Sequence, residues 1–180
     1  MKKYFSLSTF HFSLHRGFTL VEMLIVIGMV GVLASVVLIG LNPLDQLRKA
    51  NDADRKKDLS EFQKALELYY EDNNRYPASS PDFKVMNGTT TLAWGVAWNP
   101  YMKALPKDPM NARNYVYYSP ASSNGQSYYI YASLERTKDP NACNGGSACT
   151  SLGGSGFPTA AACGTGTVCN YAVSSPNVSP

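Results

Sequence analysis

Arg16-Gly17-Phe18-Thr19-Leu20-Val21-Glu22 opens a run that reads FTLVEMLIVIGMVGVLASVVLIGL from Phe18 to Leu41, in which Glu22 carries the only charge. As an α-helix this run extends ~36 Å at ~1.5 Å per residue, enough to cross a hydrocarbon core of ~30 Å with some tilt. A secretory signal has a shorter apolar region, roughly 7–15 residues, followed by small residues at a cleavage site. Here the run is too long, and Leu41-Asn42-Pro43-Leu44 offers no such site. Lys2, Lys3 and Arg16 precede the span, so the positive-inside bias keeps the N-terminus cytoplasmic and sends the rest outside. Gly28, Gly31, Ala34, Ser35 and Gly40 would let helices approach closely in lipid.

Charge is distributed unevenly over the 180 residues. Three of the 16 Lys+Arg lie in the first 17 residues, leaving 13 against 13 Asp+Glu in the remainder. A chain that loses this leader is neutral overall, which speaks against nucleic acid as a partner or an electrostatic DNA-binding subunit. His11 and His15, the only histidines, also lie in the leader. Residues 18–180 therefore exclude Ser-His-Asp, Cys-His and histidine-ligated metal chemistry, and no catalytic role is expected. An anchored extracytoplasmic enzyme with an incidental Glu22 is disfavoured on the same ground.

An ionisable side chain one turn inside an apolar helix costs a few kcal/mol on insertion scales (roughly 2.5–3.5 for Asp at the centre, less near an interface). Glu22 must snorkel to the cytoplasmic face, take a proton, or meet a cation. The basic leader ending in Gly17, the Phe after it, Thr-Leu-Val-Glu and the long apolar run together resemble the processing site of type IV pilins and type II secretion pseudopilins. The resemblance implies cleavage by a prepilin peptidase between Gly17 and Phe18, N-methylation of Phe18, and a role for Glu22 in filament assembly. It also implies identical and related pilin subunits as partners, with a membrane assembly platform and an ATPase behind them. The lipid bilayer would hold the subunit before assembly.

Beyond Asn42-Pro43, where a kink or short melted stretch is expected, the sequence reads as helix to about Arg75. Leu59, Phe62, Leu66 and Tyr69 or Tyr70 recur at spacings of three and four, a stripe packed on one side. Between Arg48 and Asp58 only Ala50 and Ala53 are apolar, so this portion is expected to face water or neighbouring subunits. Asp45 with Lys49, Asp52 with Lys56 and Glu71 with Arg75 are spaced as i,i+4 ion pairs. Trp94 and Trp98 could share a helical face and pack in the core. Asn99 to Pro109 resembles the short helix and Leu-Pro-x-Asp-Pro turn that precede the sheet in major pseudopilins, which favours the secretion branch. The alternative is a type IV pilus subunit for adhesion, motility or DNA uptake.

Tyr115–Ser119 and Ser127–Ser133 read as strands around an Asn124-Gly125 turn. Tyr128, Ile130 and Ala132 should cover the helix stripe, leaving Tyr129, Tyr131 and Ser133 on a wet outer face. After Asp139 no charged side chain follows, and Cys143, Cys149, Cys163 and Cys169 all fall in this tail. Two Cys-x5-Cys units, with Gly146 and Gly166 in matching places, suggest a degenerate duplication. A zinc site would more often use tighter spacings, so in an extracytoplasmic tail disulfides are expected. Pairing within each unit is favoured over cross-pairing, and Thr167–Val173 is a candidate last strand. No metal is assigned. Major pseudopilins often carry calcium near the end of the sheet, and Glu135, Asp139, Asn141 and Asn144 are the oxygen donors nearby, though they match no transferable motif.

The expected fold is α+β: a long N-terminal helix on a small antiparallel sheet, with a Cys/Gly-rich C-terminal tail. Its parts are a cytoplasmic leader (1–17), a transmembrane assembly helix (18–41), an amphipathic extracytoplasmic helix (42–76), a globular loop and sheet region (77–140) and the uncharged tail (141–180). Function is that of a structural filament subunit, single-pass in the inner membrane with its C-terminus extracytoplasmic.

Overall fold

A computed structural model describes residues 17–154 and 156–180, and of residues 38–41 the backbone alone. Lys2, Lys3, Arg16 and the rest of the leader before Gly17 lie outside the described residues. The chain divides after Pro43 into two compact units. The first contains helix α1, Leu20–Leu41. It ends where Asn42 takes a left-handed conformation (φ 42°), which asparagine tolerates better than most residues. Pro43 then opens helix α2, Pro43–Asn73, at a position where its missing N–H has no intrahelical acceptor to lose. The expected interruption is thus a single residue long.

Helix α2 stops at Asn73 because Asn74 turns left-handed (φ 54°) while its N–H still reaches the Tyr70 carbonyl at 2.8 Å. Its apolar stripe is buried as the spacing predicts: Leu59, Phe62, Ala65 and Leu66 are 0–3% exposed. Phe62 is the hub, meeting Trp94, Trp98 and Tyr117 edge-on at centroid distances of 5.7, 6.2 and 5.8 Å. Such edge contacts are favoured by the ring quadrupoles. Trp94 and Trp98 do pack on this core, but neither lies on a helix. Trp98 and Met102 exchange backbone hydrogen bonds at 2.9 and 2.8 Å, so the short helix expected after Asn99 is a tight turn instead.

A two-stranded hairpin, β1 (Met86–Asn87) with β2 (Thr90–Thr91), precedes the main sheet. That sheet is antiparallel, in the order β3 (Val116–Tyr118), β4 (Tyr129–Ala132), β5 (Tyr171–Ser174). Val116 faces Tyr131 across β3 and β4, and Tyr131 faces Ala172 across β4 and β5. One face, with Tyr117, Tyr128, Ile130 and Ala132, packs on the α2 stripe as expected. The other face is not wet. Val116, Tyr129 and Tyr131 are buried against Cys149, Cys163 and Cys169 of the tail. The sheet is a middle layer, and the uncharged tail is its second cover.

In that cover Cys143 is bonded to Cys149 and Cys163 to Cys169. The two loops are tied to each other and to the sheet: Cys143 N–H donates to Asn170 O (2.7 Å) and Cys149 N–H to Cys169 O (3.1 Å). Buried Asn170 accepts from the Leu134 N–H at 2.7 Å and donates to the Leu134 and Gly146 carbonyls. The two units differ in their surroundings. Gly146 (φ 98°) lies so close to Thr137 that a Cβ would strike its backbone, whereas a Cβ on Gly166 meets nothing within 4 Å. Both glycines take positive φ, but their surroundings differ.

The stretch from Arg48 to Asp58 also departs from expectation. Asp52 (2% exposed) and Arg55 (0%) are buried. Arg55 binds Asp108 through Nε and Nη2 at 2.8 and 2.9 Å, and its Nη1 reaches Asp52 and Glu135, both at 2.9 Å. Asp52 in turn accepts from the N–H groups of Glu135 and Arg136. Of the anticipated i,i+4 pairs none is formed. Lys56 goes to Asp139 at 2.6 Å, Asp45 lies 3.7 Å from Arg136, and the i,i+4 pair present is Lys57–Glu61 at 3.8 Å. Arg48, Lys49, Ala50, Ala53, Asp54 and Lys57 are exposed as expected, while Asp52 and Arg55 dock the helix by ions.

Removing Arg55 would strand Asp52, Asp108 and Glu135 without their cation. Breaking a buried pair by deleting one partner typically costs ~3–5 kcal/mol. Arg55→Met is expected to destabilise the Leu44–Pro180 unit by about that amount, read by guanidinium unfolding of the chain in detergent with Trp98 fluorescence as the probe. A loss below about 1 kcal/mol would show the cluster to be dispensable. Cys163→Ser/Cys169→Ser should weaken the cover by ~2 kcal/mol, the loop-closure value for so short a ring. Tyrosine iodination mapped by mass spectrometry should then rise at Tyr129 and Tyr131 while Tyr117 and Tyr128 stay protected.

Candidate functional site

The residues singled out at the N-terminus, Gly17, Phe18 and Glu22, sit around the first turn of α1. Gly17, Phe18 and Thr19 precede the helix, and Thr19 is extended (φ −76°, ψ 152°). Its Oγ1 accepts from the Glu22 N–H at 3.2 Å, which makes Thr19 the N-cap and Glu22 the third helical residue. Thr-x-x-Glu ahead of an apolar run is the capping-box pattern, and it satisfies one of the free donors at the helix start. The same four residues, Thr19-Leu20-Val21-Glu22, carry this signal in the sequence. A carboxylate in the first turn is also favoured by the helix dipole.

From Leu20 to Val37 every residue of α1 is exposed, the large apolar side chains ranging from 46% at Val26 to 80% at Leu20. Over Leu20–Val37 the helix is long and apolar enough to cross a membrane. A Cβ added at Gly17, Gly28 or Gly31 would meet nothing within 4 Å. Among the described residues nothing crowds position 17. Among the described residues the Glu22 carboxylate has no ion-pair partner.

The oxygens considered for calcium do not converge. Glu135 accepts from Asn51 and Arg55, Asp139 accepts from Lys56 and the Asn141 N–H, and Asn144 donates to the Ala148 carbonyl. Burial alone would raise the pKa of both carboxylates. Hydrogen bonds outweigh it, from Asn51 and Arg55 at Glu135 and from Lys56 and Asn141 at Asp139, and lower both. Among the described residues no group of three or more His, Cys, Asp or Glu is placed to hold a metal ion. Protein cations occupy these carboxylates.

An apolar helix opened by a capped Phe-Thr-Leu-Val-Glu, followed by a helix-on-sheet domain, defines a pilin-like class of protein. The Prokaryotic N-terminal methylation motif matches residues 13–38. The family described as type II secretion system (T2SS), protein G, matches residues 42–140, so the chain belongs to that family of structural pseudopilin subunits. A type II secretion system core protein G from Pectobacterium carotovorum subsp. carotovorum is 37% identical over 100 residues, 52% of this chain and 61% of that protein. Those of Escherichia coli K12 and Vibrio cholerae are each 34% identical, over 58% of this chain and 72% and 70% of their own lengths. The chain thus spans about three-fifths of the first of these relatives. No solved structure matches it. The double-disulfide tail falls beyond the region the family match covers.

The cap is testable by itself. Thr19→Ala should cost ~1 kcal/mol at the helix start, about a fivefold rise in amide exchange at Glu22 measured by NMR in micelles. Thr19→Ser should restore protection. Equal exchange in all three proteins would remove Thr19 from the cap.

Proposed function

We propose that this chain is the major pseudopilin of a type II secretion system, a structural subunit that polymerises into an extracytoplasmic filament and catalyses nothing itself. The observation that carries this reading is the coincidence on one chain of the methylation motif at 13–38 and the protein G family region at 42–140. In this reading a prepilin peptidase cuts between Gly17 and Phe18 and methylates Phe18. The subunit waits as a single-pass protein of the inner membrane, its C-terminal unit outside, until an assembly platform and its ATPase add it to the filament.

Glu22 is the residue assigned to register. Cleavage creates an ammonium at Phe18, and pairing with such a cation is one way a carboxylate is tolerated in lipid. Pairing with its own ammonium is not favoured by the backbone, because the extended Thr19 takes Phe18 off the helical path to Glu22. A neighbour's ammonium, staggered along the bundle, meets the need. The pair then rewards one register and penalises others.

Glu22→Gln tests this cleanly, since glutamine also serves at the third position of a capping box and keeps the side chain's length. Only the charge is lost. The variant should insert, yield a mature chain that starts at Phe18 and carries one added methyl by mass spectrometry, and fold its outer unit. It should give few or no sheared filaments at membrane levels equal to wild type. Even ~1.4 kcal/mol per subunit is tenfold in each addition step. Normal filament yield would remove Glu22 from the assembly role, and a chain that still begins at Met1 would remove the pseudopilin reading altogether.

A further inference from the structure

The first turns of α2 leave two large apolar side chains uncovered: Leu44 is 65% and Leu47 62% exposed. Cations gather beside them. Arg48 and Lys49 follow on the same helix and are exposed, and Arg48 lines one shallow pocket with Asp45, Arg136 and Lys138. Arg136 Nε lies 3.7 Å from Asp45. The other acid of the pocket, Glu135, is already held by Arg55 and Asn51. Arg48, Arg136 and Lys138 thus share the pocket with Asp45, which is paired to Arg136; Lys49 follows Arg48, and the two leucines are close by on the helix. A face fitted only for water would not expose both leucines.

Position along the chain says what covers it. Leu44 follows Pro43 directly, and Lys49 is six residues beyond Pro43 within one continuous helix. At ~1.5 Å per residue that places Leu44, Leu47, Arg48 and Lys49 within about 9 Å of Pro43 along the helix, whichever way α2 points, and Arg136 and Lys138 share the pocket of Arg48. Pro43 itself is two residues past the end of the membrane-length helix. The polar interfacial layer of a bilayer is roughly 5–8 Å deep on each side, and long Arg and Lys side chains reach several ångströms further.

We propose that this face of the unassembled subunit docks on the membrane surface, with Leu44 and Leu47 at the headgroup–acyl boundary and Arg48, Lys49, Arg136 and Lys138 on anionic phospholipid headgroups. The inference rests on the membrane-anchored subunit of the proposed function. It adds a lipid-binding surface on the folded outer unit, distinct from the spanning helix. Docking on anionic lipid would hold the outer unit at the bilayer until the face is lifted away during polymerisation.

The test uses the full mature chain reconstituted in vesicles, with Leu47→Trp as a reporter in the exposed face and brominated phospholipids as short-range quenchers. Emission of the chain without the reporter is subtracted for Trp94 and Trp98. Quenching should be strong in vesicles containing phosphatidylglycerol and weak in pure phosphatidylcholine. It should fall to the phosphatidylcholine level at about 1 M salt, where the screening length is about 3 Å. Arg48→Glu/Lys49→Glu/Lys138→Glu should abolish the difference, each cation being worth about fivefold in the docked ratio. The salt series on unaltered charges keeps the test decisive if that variant misfolds. Equal quenching in both lipids, or none in either, overturns the proposal. Quenching that scales with protein-to-lipid ratio also overturns it, in favour of a second copy on this face. Carbonate extraction separates the two levels: a chain released by carbonate ends the anchored-subunit reading and this inference together, whereas a retained but unquenched chain ends only the inference.

Discussion

Arg55 is the constraint on which the outer unit depends. A fully buried guanidinium is tolerated only when its donors are matched, and here they meet carboxylates from three separate stretches of chain. Burial alone would lower its pKa, and the bonds to Asp108, Glu135 and Asp52 outweigh that and raise it. Asp108 takes the guanidinium edge in a two-pronged contact while accepting from the Met110 N–H, so the Leu105–Pro109 turn is fixed in the same act. Asp52 and Glu135 do the same for the segment leaving β4. The planar fork sets angle as well as distance, which lysine could not do. With α2 held at that point, the Leu59, Phe62 and Leu66 stripe has one way to lie on the sheet.

The sheet's tyrosines follow from its place as a middle layer. On the helix side their hydroxyls need acceptors, and α2 supplies them along its edge: Asp58 takes Tyr115, and Glu67 takes both Tyr76 and Tyr128. Tyr117 reaches the Pro77 carbonyl at 2.7 Å. On the far side Tyr131 bonds Ser151 of the tail at 2.8 Å. A phenol buries a large apolar ring while its one polar atom finds a partner at the rim. The tail can be free of charge because its polarity is spent on backbone bonds, Asn170 and serine, and because two disulfides replace the core that so short a segment cannot build.

What was legible in the sequence was what periodicity and punctuation encode. Leu59, Phe62 and Leu66 announce a helix face, alternation from Tyr128 to Ala132 announces a sheet face, and Asn42-Pro43 announces a break. The spanning length of α1 is legible because lipid demands continuity. Illegible were the features set by partners distant in sequence. Arg55 reads as one more charge on a polar helix, since nothing local says that Asp108 and Glu135 will close around it. Tyr129 and Tyr131 read as a wet face because the cover that buries them lies beyond Cys143 and has no hydrophobic pattern of its own. Thr19 was legible and was passed over, since a capping box and a processing motif share the same letters.

The two units treat charge in opposite ways, as lipid around one and water around the other in the proposed subunit would require. In the outer unit, ions are buried in matched groups and the surplus faces water, so charge serves to fix a fold. In α1 every backbone group but those at the ends is satisfied within the helix, and the side chains are apolar or small. Satisfaction inside one subunit is therefore nearly complete, and the one strong polar demand left is Glu22. A helix with no apolar stripe has no preferred side for association either, because lipid tails are as apolar as its own leucines and valines. Specificity in such a bundle cannot come from hydrophobic burial. In the proposed filament it would come from shape at the small residues and from the one ion, Glu22, whose partner that proposal assigns to another chain; there its position one turn from the helix start would matter more than its cost.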